Sequence, residues 1–206
     1  MLRRLAILSA LAVGSVSIAH ADSIDGFLNI NGTDTFTSST ITFTPGSSSV
    51  QGAIGGTFAL YLTDGNPITF MSGPLPYMTG FNTAPGGSVQ VLTTTEAGET
   101  FTFFINDYTA DFVTNGTLGC GAGSTCLLVT GDGSFTGSGS VSYSASPTTF
   151  VFTSQYSPGQ TVGTITTFSA SASATPAPIP EPATLALVGS GLLGIAGLAR
   201  RKLGLS

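Results

Sequence analysis

Between Asp22 and Thr175, apolar side chains recur at every second position. Ile41-Thr-Phe43, Phe58-Ala-Leu60-Tyr-Leu62, Ile68-Thr-Phe70, Val89-Gln-Val91, Phe101-Thr-Phe103-Phe-Ile105, Val141-Ser-Tyr143 and Phe150-Val-Phe152 alternate apolar with small or polar residues. A period of two predicts strands buried on one face. Asn31-Gly32, Thr44-Pro45-Gly46, Asp64-Gly65-Asn66-Pro67 and Ala84-Pro85-Gly86-Gly87 interrupt the runs, and their residue types predict turns. Gly52-Ala-Ile-Gly55-Gly56 weakens one long run and marks a bulge. Gly131 to Gly137, Ser140 to Ser144 and Thr149 to Gln155 read as a hairpin that closes the domain. No helical period precedes the C-terminal tail. The expectation is all-β: a single two-sheet β-sandwich, jelly-roll-like, over residues 22–168. The stretch after it, 169–179, is rich in Ser, Ala and Pro and is expected to be a flexible linker.

The two ends follow other rules. Arg3 and Arg4 begin the chain, Leu5 to Ile18 is apolar, and Ala19-His20-Ala21 follows. A positive start, a short apolar core, and small residues at Ala19 and Ala21 predict a signal peptide, residues 1–21, cut by signal peptidase after Ala21. Its core is too short to span roughly 30 Å of hydrocarbon. At the other end, Ala183 to Ala199 is apolar or small except for Thr184 and Ser190. As a helix it would rise about 26 Å, at the short end of what crosses a bilayer. Arg200, Arg201 and Lys202 follow as a stop that holds the C-terminus in the cytoplasm. Before the span, Pro176-Ala-Pro178-Ile-Pro180-Glu181-Pro182 is expected to stay extended and accessible, because proline fixes φ and lacks an amide donor.

Pro180-Glu181-Pro182-Ala183-Thr184-Leu185-Ala186-Leu187, the Gly- and Leu-rich span and Arg200-Arg201-Lys202 closely resemble the PEP-CTERM protein-sorting domain of Gram-negative bacteria. The same tail is also known as an ice-binding-protein C-terminal domain. The resemblance covers about residues 178–203, with the sorting tail at 180–206. It implies that an exosortase, an integral-membrane cysteine transpeptidase, reads Pro180, Glu181 and Pro182 and cuts nearby. It implies a precursor held in the inner membrane by its C-terminal helix after passage through the secretory translocon, then placement at the cell surface or outside the cell. It also suggests an extracellular-polymer or biofilm setting. It says nothing about the activity of the region before it.

Charge narrows that activity. The chain has five Lys and Arg residues and one His. All of the Lys and Arg lie in the targeting ends, and the His is His20, so the region between carries no cation. Such a domain cannot neutralise phosphates, which excludes nucleic acid. It also lacks the imidazole needed for Ser-His-Asp or Cys-His nucleophiles and for most zinc and iron sites. Cys120 and Cys126, the only cysteines, are expected to form a disulfide that stiffens a hairpin in an exported chain. Glu96 with Glu99, and Asp107 with Asp111, are candidate carboxylate pairs of the glycosidase type. Solvated acids at turns and strand ends are the simpler account, and no catalytic residue is assigned. Asn106, Asp107, Asp111 and Asp132 offer oxygen ligands for a weak calcium site, but Asp and Asn are ordinary turn residues, the Asp-x-Asn-x-Asp loop signature is absent, and no cofactor is assigned. Thr33, Thr35 and Thr37, with Thr40, Thr42 and Thr44, read as the wet face of a sheet. The sequence therefore describes a non-enzymatic exported protein, structural or adhesive in an extracellular matrix, with extracellular polysaccharide as a candidate partner. A polysaccharide-acting enzyme or a carbohydrate-binding module is the alternative.

Overall fold

The computed structural model describes residues 22–114 and 120–176. Twelve strands follow one another: β1 (Asp22–Ser23), β2 (Gly26–Phe36), β3 (Thr40–Phe43), β4 (Ser48–Ile54), β5 (Pro67–Phe70) and β6 (Leu75–Pro76), then β7 (Gly80–Thr83), β8 (Val89–Glu96), β9 (Glu99–Thr114), β10 (Thr125–Ser138), β11 (Tyr143–Tyr156) and β12 (Thr166–Ala174). The all-β expectation holds, but the two-sheet sandwich does not. The strands form one sheet that closes on itself as an eight-strand barrel, β11-β10-β9-β8-β5-β4-β2-β12 and back to β11. Every pairing in that ring is antiparallel. The physical reason is β12, which pairs with β11 along one edge and β2 along the other. A sandwich would leave those edges open, whereas closure removes them.

The stretch expected to be a linker supplies that closing strand as far as Ala174. Its alternation is real but written in small residues. Phe168, Ala172 and Ala174 are buried, while Thr167, Ser169, Ser171 and Ser173 are exposed. Two further expectations are corrected. Asn31-Gly32 lies inside β2, because the flanking β12 pairs through both residues. Phe58 to Leu62 is not a strand. Gly56–Leu60 forms a 3₁₀ turn that buries Phe58 against Phe101 and Phe135 at 5.2 and 4.9 Å between ring centroids. The Gly52 bulge is present. Three residues of β2, Leu28 to Ile30, face five of β4, Val50 to Ile54, and Gly52 takes φ +62°. The closing hairpin is β10 with β11, paired from Thr125–Tyr156 to Gly137–Tyr143.

The core fills the barrel with aromatic side chains. Phe43 stacks on Phe70 at 4.0 Å and meets Phe152 and Phe168 edge-on. Each such ring removed from water contributes roughly 1.5–3 kcal/mol. A second bulge, at Asn106, switches the inward positions of β9 from Phe101, Phe103 and Ile105 to Tyr108 and Ala110. Gly133 makes room for it, since a Cβ there would lie 2.1 Å from the Phe104 carbonyl oxygen.

The register defines two rims. At the terminal rim lie Asp22, paired with Tyr143, and Ala174, paired with Gly26. The β8–β9 turn and Ser138 lie there too. At the far rim lie Phe36, Tyr156, Thr125 and Thr166. The expected signal peptide, membrane helix and sorting residues fall outside the described residues. Among the described residues, no helix is long and apolar enough to cross a membrane.

Candidate functional site

The acidic residues are the described domain's only charged side chains, and six of them fall into three settings. On the outer wall, β10 places Asp132 directly opposite Asp107 of β9. Cross-strand partners of this kind have Cβ atoms about 4.5–5.5 Å apart. Asn106, beside them, is the bulged residue, and its carbonyl accepts the Ala84 amide at 2.7 Å. Asp111 sits four residues along the strand, opposite Leu128, at roughly 13 Å by strand rise. The structure therefore pairs Asp107 with Asp132, not with Asp111. That pairing links residues far apart in sequence and depends on the β9–β10 register, which local pattern does not reveal. Among the described residues, no group of three His, Cys, Asp or Glu side chains gathers for a metal.

Glu96 and Glu99 are partners across the β8–β9 turn, yet each carboxylate has its own structural task. Glu96 accepts Asn66 Nδ2 at 2.8 Å. Glu99 is fully buried, and its Oε1 accepts the Ser140 hydroxyl and the Val141 amide. The Ser140 hydrogen bond, outweighing burial and helped by the Val141 and Ser140 amides, holds the Glu99 carboxyl below its usual range. This carboxylate ties down the turn between β10 and β11. Beside it, the Tyr61 and Tyr143 hydroxyls meet at 3.0 Å. That contact first, then burial, pushes Tyr143 up to about 12.

The third setting is Asp34, which the Thr-rich run hides in the sequence. It lies on the inner face of β2, fully buried. Its Oδ1 accepts the Ser154 hydroxyl at 2.7 Å, while Oδ2 has no partner. Burial raises its pKa to about 7 against the pull of Ser154. Its strand neighbours Thr33 and Thr35 face outward, and Thr35 pairs with Thr42 of β3, which is the wet face expected of them.

Cys120 and Cys126 are joined, with Cα atoms 5.8 Å apart. Cys126 is the second residue of β10, so the bridge braces the far rim. Inside the barrel, an apolar space of about 60 Å³ is bounded by Ile30, Phe43, Phe103, Phe152 and Ala172. No carboxylate lines this space, and the Asp107–Asp132 pair lies elsewhere, on the β9–β10 wall.

No curated protein and no solved structure matches this chain. One family model does match, over residues 178–202. At Pro180-Glu181-Pro182 and the apolar and basic residues that follow in sequence, the chain carries a PEP-CTERM protein-sorting motif.

Proposed function

We propose that this chain is an exported surface protein whose tail is cut by an exosortase-like transpeptidase and whose barrel serves as a structural or adhesive part of an extracellular matrix. The observation that carries this reading is the sorting motif at residues 178–202. In its order of parts, Pro180, Glu181 and Pro182 form the recognition element. Ala183 to Ala199 spans the inner membrane, and Arg200, Arg201 and Lys202 fix its depth. Each of these cations would cost about 2.5–3.5 kcal/mol to draw into hydrocarbon. The signal peptide delivers the chain to the translocon and is removed after Ala21. The chain is a substrate of the processing chemistry and not its agent.

The barrel supports a binding role over a catalytic one. Its cross-strand acids, half-buried Asp107 and exposed Asp132, stand on the outer wall, and its two best-buried acids, Asp34 and Glu99, each accept internal hydrogen bonds through one oxygen. A surface of Thr, Ser and Asn with no cation suits an uncharged polysaccharide and not a polyanion. The test is Glu181→Ala in a host that has the processing enzyme. Insertion should persist while processing stops, so the cell-associated form accumulates. Processing at an unchanged rate would contradict the reading of Pro180-Glu181-Pro182 as the recognition element.

A further inference from the structure

We propose that the outer wall formed by β11, β12 and β2 binds an uncharged polysaccharide chain in a groove floored by β12. The register lays out that wall. Ser173, Ser171 and Ser169 point outward in a row on β12. Directly opposite them stand Phe27, Asn29 and Asn31 on β2, and Thr149, Val151 and Thr153 on β11. The serines are small and the flanking side chains larger, so the wall is hollowed along β12. Two adjoining hollows of about 380 Å³ each result. Asn29, Asn31, Gln51, Val151, Ser169 and Ser171 line the first, and the second continues from Asn31 and Ser169 to Thr33 and Ser47. A further hollow at Cys120 and Cys126 forms no part of the site, because Cys120 directly follows residues 115–119, which lie outside the described residues.

The flanks combine apolar groups with amides that are already oriented. Val151 is 46% exposed and Phe27 41%, which offers apolar surface to the C–H faces of sugar rings. Asn29 Nδ2 donates to the Ala53 carbonyl at 3.0 Å. Asn31 Oδ1 accepts the Ser49 hydroxyl at 3.2 Å. These bonds leave Asn29 Oδ1 as an acceptor and Asn31 Nδ2 as a donor without partners among the described residues, two positions apart on one flank. Sugar hydroxyls both donate and accept, and a few placed polar groups on a partly apolar surface are what fixes such a ligand. Groups held before contact lose little conformational freedom on binding.

Charge and topology select the ligand. No charged side chain lines either hollow. Acids stand around them instead. Asp25 lies two residues before Phe27, Asp64 accepts the Gly52 amide at 2.8 Å beside Gln51, and Asp132 is opposite Thr149. Asp107 and Asp111 lie a strand further out, on β9. With no Lys, Arg or His among the described residues, this surround repels a polyanion. A cationic partner would be drawn to the acids and not to the uncharged floor, and salt would weaken its hold. A peptide strand finds no free edge, because β12 is paired on both sides from Thr167 to Ala174, and strand addition needs one. From Ser173 to Thr167 the floor runs roughly 20 Å by strand rise, room for several sugar rings in line. The site rests on the adhesive reading above and gives it a ligand class.

The experiment is depletion of the exported protein, recovered from its host, by beads of dextran, cellulose and mannan, with carboxymethyl-dextran as the polyanion. At least one uncharged bead should retain the protein, carboxymethyl-dextran should not, and added salt should leave retention unchanged. Ser169→Ile with Ser171→Ile fills the floor at outward strand positions that suit β-branched residues, and it should weaken retention by at least about tenfold. Phe27→Ser with Val151→Ser removes the apolar flanks and should weaken it in the same direction. Thr95→Ile, exposed on β8 across the ring from β12, should leave it unchanged. Retention that both double variants leave intact, or that salt abolishes, overturns the groove and leaves the adhesive reading standing. A protein that no uncharged bead retains overturns the groove and the polysaccharide part of that reading together. Tail cutting is read by mass and is independent of either result.

Discussion

A carboxyl group sealed from water on the inner face of β2 keeps its proton to unusually high pH, and that has a cost for folding. Asp34 in the folded protein titrates near 7, against 3.8 for an ordinary Asp. Below about pH 3.8, both folded and unfolded chains hold the proton and the site adds no penalty. As pH rises toward 7, the unfolded chain releases its proton while the folded chain retains it, so stability falls. Above 7 the penalty levels off, at about 4 kcal/mol for a shift of this size. Asp34→Asn keeps an acceptor for Ser154 and removes the titration. Urea unfolding across pH 4 to 9 should show this variant gaining on the parent by a few kcal/mol toward the alkaline end. Parallel curves would contradict the burial account. Glu99 works the other way, because its pKa is lowered. Its contribution is present above the unfolded-state pKa and is lost as pH falls through the folded value. Neither role was legible in the sequence. Asp34 stands in a Thr-rich run that reads as solvated, and Glu99 beside a Gly-containing turn reads as an ordinary turn acid.

β12 shows where pattern reading succeeds and where it stops. The runs built from Phe, Ile, Val and Leu announced β3, β5, β8, β9 and β11 because each alternation contrasts a large apolar residue with a polar one. Phe168-Ser-Ala-Ser-Ala-Ser-Ala174 has the same period with almost no contrast, and Ser and Ala also make linkers. Its strand state comes from two neighbours, not from its own propensity. β11 and β2 each supply a ladder, from Thr148–Ala174 to Gln155–Thr167 and from Gly26–Ala174 to Asp34–Thr166. Closure of the sheet is invisible locally for the same reason, since it is a statement about which edges meet. Ser171→Pro separates the two readings. A linker would accept it freely. A central strand loses a ladder hydrogen bond, and proline is essentially confined to edge strands and bulges. Thermal unfolding of Ser171→Pro should show a large fall in midpoint, while an unchanged midpoint would argue that the barrel does not need β12.

At the scale of the whole molecule, address and activity are written in different alphabets. The sorting tail declares itself by order: prolines around Glu181, an apolar span, then Arg200, Arg201 and Lys202. A membrane and an enzyme can read such a string without a folded domain, so its signal survives in sequence alone. The barrel carries no such string, and only the absence of cations constrained its chemistry from the start. That absence also simplifies the decisive experiment, because residues 5–199 contain no Lys or Arg and a trypsin-like protease cannot imitate processing in the barrel or the span. The measurement is the intact mass of the exported protein, from a host with the exosortase and from the same host without it. The account predicts a chain beginning at Asp22 in both. With the enzyme, residues beyond the Pro180-Glu181-Pro182 region are removed; without it, they remain. Identical masses in the two hosts, with residues 183–206 still attached, would contradict it.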